Sequence, residues 1–92
     1  MIKSFKHKGL QKFFDTGSIK GINAKHAVRL KTQLQILNIM KNIEDANVPS
    51  WNLHSLSGES KDHWSLKVNG NWRITFKFDG EDVYIVDYQD YH

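Results

Sequence analysis

The chain has 92 residues, 39% of them hydrophobic and 25% charged, a net charge of +3 and no cysteine, which fits one globular domain spanning 1–92. Without thiols there is no disulfide framework, no thiolate zinc site and no cysteine nucleophile, in keeping with a cytoplasmic location. No run of about 18 apolar residues is available to span a membrane, and "MIKSFKHKGLQKFF" lacks the apolar core of a signal peptide, so no membrane partner is expected.

In chain order, "MIKSF" alternates apolar and polar residues, so 2–5 read as a short strand. "KGLQKFFDTG" reads as a short helix with Leu10, Phe13 and Phe14 inward and Gly17 as its stop. Asn23 then offers an N-cap. Ala27, Leu30, Leu34, Leu37 and Met40 recur at helical steps, predicting an amphipathic helix of about five turns. Lys25 and Arg29, four apart, share one face of it. "EDANVPSWN", with the one proline Pro49, reads as a linker, and "LHSLSG" as a brief strand or extended loop. "HWSLKV" alternates, with Trp64, Leu66 and Val68 on one face. "NG" at 69–70 predicts a two-residue hairpin with both central residues at positive φ. "NWRITFKF" places Trp72, Ile74, Phe76 and Phe78 on one face and Arg73, Thr75 and Lys77 on the other. "DGED" turns the chain into a last strand, "VYIVDYQ". The expected fold is α+β: an N-terminal strand and two helices packed on an antiparallel sheet with a C-terminal meander. The face carrying Arg73, Thr75 and Lys77 is expected to stay open, as a platform for RNA.

The charge is one-sided. Residues 1–50 hold nine basic and three acidic side chains (+6), whereas 51–92 hold four and seven (−3). Such a basic field suits a polyanion, although any single lysine here is ordinary solvated surface. The five histidines (7, 26, 54, 63 and 92) show no His-x-x-x-His spacing, so no metal is expected. Glycine-rich phosphate loops and a Gly-x-Ser-x-Gly elbow are absent. Acid–base chemistry without a cofactor remains. RNA brings its own nucleophile, the 2′-hydroxyl, and its cleavage needs a base, an acid and a cation for the phosphate. His54, Asp90, Tyr91, His92 and Arg73 are the right types for those roles, and arginine's planar fork suits phosphate best. Each has a plainer alternative: an ion pair to Asp87 or Glu81 for Arg73, a turn cap for His54, a frayed tail for Tyr91 and His92.

"KGL" after the first strand, then "LHSLSG", "HWSLKVNGNWRITFKF" and the closing "VDYQDYH", resemble the HigB toxins of the RelE/ParE superfamily over essentially the whole chain. The resemblance implies a RelE-like fold and a toxin of a type II toxin–antitoxin system that acts as a ribosome-dependent, metal-independent mRNA endonuclease cutting A-site codons. It implies catalytic roles for His54, Asp90, Tyr91 and His92, a phosphate role for Arg73 and base reading by Asn71, since asparagine pairs bidentately with adenine. The RNA-gripping surface falls on the lysine-rich half, Lys6, Lys8, Lys25 and Arg29. Ser57 stands where relatives often carry lysine. Implied partners are a HigA-type helix-turn-helix antitoxin, which brings indirect contact with operator DNA, and the small-subunit rRNA and mRNA of the ribosome. ParE-like relatives instead poison gyrase and lack the His54/Asp90/Tyr91/His92 set.

Overall fold

A computed structural model describes residues 1–56 and 62–91. The expectations on Ser57 and His92 lie outside these residues. Helix α1 (Lys8–Thr16) and helix α2 (Ala27–Ile39) precede strands β1 (His54–Ser55), β2 (His63–Asn69), β3 (Trp72–Asp79) and β4 (Asp82–Asp90). The four strands form one antiparallel sheet in the order β1-β2-β3-β4. The architecture is α+β, as the alternating and helical periods foretold.

One apolar face of the sheet meets the helices. Leu10 and Phe13 of α1, and Leu30, Leu34 and Leu37 of α2, pack with Leu66, Val68, Ile74, Phe76, Val83, Val86 and Tyr88. Each fully buried leucine contributes about 2 kcal/mol relative to an exposed one. Gln33 is also fully buried, and its Nε2 donates to the Lys67 carbonyl (2.9 Å), tying α2 to β2.

Several expectations need correction. The N-terminal strand is reduced to two parallel bridges on β4, Ile2↔Val83 and Phe5↔Val86. A bulge in β4 interrupts any longer pairing: the register passes from Thr75↔Asp87 to Lys77↔Tyr84, so Ile85 and Val86 together oppose Phe76. Ile85 takes φ +49° and its N–H donates to Ser4 Oγ (2.8 Å). The bulge lets Val83 and Val86 both face the core, which strict alternation forbids. Asn23 caps a 3₁₀ turn, Ala24–His26, that leads into α2, and Met40 lies just past the helix as its C-cap. The "linker" is ordered: Ile43–Ala46, with an Asn42/Asp45 capping box, and Pro49–Trp51 form 3₁₀ turns, and Trp51 is buried.

The β2–β3 hairpin is shifted by one residue. Asn69 pairs with Trp72, so the loop residues are Gly70 and Asn71, and Gly70 alone of the two has positive φ (+55°). Glycine in the first loop position is the pattern of a type II′ turn. Thr75 is also not on an open surface: it is 8% exposed, screened by its neighbours on the sheet.

Candidate active site

Pairing across an antiparallel sheet puts partners on the same face. His54↔Ser65↔Thr75↔Asp87 is therefore one row across all four strands, on the side away from the helices. Lys67↔Arg73↔Gln89 is the next row on that face. His54 and Arg73 stand two strands apart, about 10 Å across the sheet and about 7 Å along it, so their long side chains flank a common stretch of surface.

The exposed His54 ring places Nδ1 3.1 Å from the Asn52 carbonyl oxygen. A carbonyl only accepts, so Nδ1 carries the proton and Nε2 is the nitrogen left to the face. This histidine is a strand residue whose ring also bonds the carbonyl that ends the Pro49–Trp51 turn. Arg73 Nη1 donates to the carbonyls of Gly70 (2.7 Å) and Trp72 (3.0 Å). Neither alternative ion-pair partner engages it. Glu81 meets Lys41 (3.3 Å), and Asp87 accepts from Gln89 Nε2 (2.8 Å). One guanidinium nitrogen thus anchors Arg73 to the hairpin, with donors remaining for an anion.

The hairpin also gathers the end of the chain. Tyr91 N–H donates to the Asn71 carbonyl (2.9 Å) and Asp90 pairs with Trp72. Asn71, Arg73, Asp90 and Tyr91 therefore share one end of the sheet. By strand alternation Asp90 leaves on the side of Trp72, opposite Arg73 and Gln89. Lys25, from the 3₁₀ turn before α2, and Arg29, from its first turn, approach the same end. They line a recess of about 330 Å³ with His26, Ser50, Lys67, Val68 and Asn69, and Arg29 Nη1 donates to the Ser50 carbonyl (3.3 Å). Lys6 and Lys8 are exposed beside the outer edge of β4, where Lys6 N–H donates to the Val86 carbonyl. Among the described residues no group of three His, Asp or Glu side chains could hold a metal ion, and no helix is long and apolar enough to cross a membrane.

Sequence reasoning missed the support beneath this end. His26 is 4% exposed, with Nδ1 2.6 Å from the Tyr88 hydroxyl. That hydroxyl also accepts the Asn23 N–H (3.3 Å), so it joins His26 to the backbone just before the 3₁₀ turn. Trp72 stacks on Tyr88 (4.5 Å), and His26 meets Trp72 edge-on (5.6 Å). Burial lowers the His26 pKa from its ordinary value. Burial also raises that of Tyr88, against the opposing effect of the Asn23 N–H. A lone buried histidine carries no sequence signal; its contacts come from chain segments 62 residues apart.

A helix pair on a four-stranded antiparallel sheet, with an arginine and a histidine on the face away from the helices and a basic recess at one end, defines a small α+β domain of the RelE-like type. The comparisons with known proteins agree. Residues 3–92 match the HigB-like toxin family, described as the RelE-like toxin of type II toxin–antitoxin system HigB. The chain is 44% identical to "Endoribonuclease HigB" of Proteus vulgaris over 92 residues, covering all of both chains. This chain belongs to the HigB-like toxin family. As a type II toxin it has an antitoxin partner.

Proposed function

We propose that this toxin is an endoribonuclease that cuts mRNA in the ribosomal A site, without a metal ion. The observation that carries the reading is the placement of Arg73 and His54 on one face of the sheet, two strands apart, in a chain whose full-length relative is named an endoribonuclease.

The 2′-oxygen of the substrate attacks the adjacent phosphorus, the P–O5′ bond breaks and a cyclic phosphate forms. The 2′-hydroxyl proton goes to a base and the departing 5′-oxygen takes a proton from an acid. His54, through Nε2, and His92 are the exchangeable groups for these two transfers. Asp90, on the other side of the sheet from His54, orients His92, and Tyr91 contacts the phosphate or leaving oxygen. The free donors of Arg73 bind the phosphate as its negative charge grows, a term that is usually large in such reactions. Asn71, at the hairpin tip, reads a base edge. Lys6, Lys8, Lys25 and Arg29 bind ribosomal RNA. The antitoxin is of the HigA helix-turn-helix type and carries the complex to operator DNA. The whole of 1–92 acts as one domain, in the cytoplasm.

The test is cleavage of a defined mRNA on programmed ribosomes, with the ends mapped by primer extension, with and without chelator. We expect cuts inside A-site codons, absent without ribosomes and unchanged when transition metals alone are chelated at the Mg²⁺ level that ribosomes require. Arg73→Ala is expected to lose about 100-fold or more in rate while staying folded, and Arg73→Lys to recover little of it. Cleavage of free RNA, or an unimpaired Arg73→Ala, would falsify the reading.

A further inference from the structure

Among the described residues two buried side-chain polar atoms have no hydrogen-bond partner, Gln33 Oε1 and Ser65 Oγ. Ser65 is the more telling of the two. It is 1% exposed, yet it lies on the candidate catalytic face, directly between His54 on β1 and Thr75 on β3. A buried hydroxyl without a partner costs free energy that alanine at the same site avoids. The rest of the row is bonded: Thr75 Oγ1 accepts from Gln89 Nε2 (3.2 Å), which also donates to Asp87 Oδ2 (2.8 Å). The chain of polar groups runs from β4 to β3 and stops one strand short of His54, with the unused hydroxyl of Ser65 in the gap.

We infer that Ser65 is a positioning residue for His54, holding the imidazole through Nδ1 in a second orientation. The inference rests on the proposed role of His54 in cleavage. Leu56 N–H donates to the His63 carbonyl (2.8 Å). Two residues along, the antiparallel pattern makes His54↔Ser65 a hydrogen-bonded pair of the same kind, with Cβ atoms about 5 Å apart. Nδ1 is the ring nitrogen nearest the backbone and so the one within reach of this neighbour. It now donates to the Asn52 carbonyl. Rotation of the exposed ring over β2 exchanges that acceptor for Ser65 Oγ. No proton is transferred in the exchange. Nδ1 keeps its hydrogen throughout, and Nε2 moves from the sheet edge towards the Arg73 side of the face. Ser65 is too deeply covered to touch substrate, so it acts through His54.

The test compares wild type with Ser65→Ala and with Ser65→Cys, which keeps the bulk but accepts hydrogen bonds poorly. Three quantities are read: thermal midpoint, kcat and KM for A-site cleavage, and the long-range ¹H–¹⁵N ring correlations of His54 in the free protein. The expected result is an unchanged or raised midpoint in Ser65→Ala, kcat lowered roughly tenfold with KM unaltered in both variants, and shifted His54 ring signals. Full kcat with unmoved ring signals in the folded variants would overturn the inference, leaving Ser65 a packing residue. The ring signals need no ribosome. A wild type that cuts no mRNA, but whose His54 signals respond to Ser65→Ala, would therefore sink the cleavage reading and not the contact.

Discussion

At the scale of single residues, His26 shows how a side chain without an evident role can govern a site. Its ring is hydrogen-bonded through Nδ1 to the Tyr88 hydroxyl, and Tyr88 is stacked on Trp72, the residue between Asn71 and Arg73. Because burial lowers its pKa in the folded state, the unfolded chain binds more protons as pH falls below about 6.5. The stability that neutral His26 contributes is present above that pH and lost as pH drops through the lower, folded value. We expect the thermal midpoint to fall on going from neutral pH to about pH 5. His26→Gln should weaken this dependence while lowering the midpoint at neutral pH, as calorimetry across a pH series would show. A pH response identical in the variant would assign the effect to other groups. His26 was not legible as special in the sequence, whereas the face of Arg73 was, because a polar residue amid alternating apolar ones announces its face.

At the scale of elements, two close approaches set the position of α1. Gly9, in its first turn, lies against Gly21 in the loop before α2. A Cβ on Gly9 would stand 2.5 Å from the Gly21 carbonyl oxygen, and one on Gly21 would stand 2.5 Å from Gly9 Cα. Both obstacles are backbone, so no side-chain rotation relieves them. Gly9→Ala is expected to lose about 1–3 kcal/mol, measured by urea unfolding, although alanine is the better helix former. Gain of stability on that substitution would contradict the packing. The β4 bulge acts at the same scale. It seats Val83 and Val86 in the core and leaves Ile85, at positive φ, 44% exposed. A β-branched residue is the last one a reader of sequence would assign to that conformation.

At the scale of the whole molecule, the charge asymmetry meets the sheet end. The basic first half supplies Lys25 and Arg29 to the recess beside the hairpin, and the acidic second half supplies Asp90 and the strands that carry Arg73. Under the proposed function, ribosome binding should weaken steeply as salt rises. In the Lys25→Ala/Arg29→Ala pair the log–log salt slope should flatten by about 2, one for each phosphate that is no longer neutralised. Sedimentation of the toxin with ribosomes across a salt series measures it. An unchanged slope would remove these two residues from the RNA surface.

What the sequence determined by itself was periodic or compositional. Alternation in "HWSLKV" and "NWRITFKF" specified two strands and their apolar faces, the Leu30–Leu34–Leu37 stripe specified α2, and the lysine bias marked the basic half, because each depends on neighbours a few residues away. Tertiary structure decided the rest. The true hairpin loop, Gly70–Asn71, follows from pairing Asn69 with Trp72 rather than from the Asn-Gly dipeptide. The bulge at Ile85 follows from the demand that Val83 and Val86 both reach the core. The rows His54–Ser65–Thr75–Asp87 and Lys67–Arg73–Gln89 exist only once register is set. Register is a sum of many long-range contacts, and a one-residue slip would turn every one of these side chains to the other face.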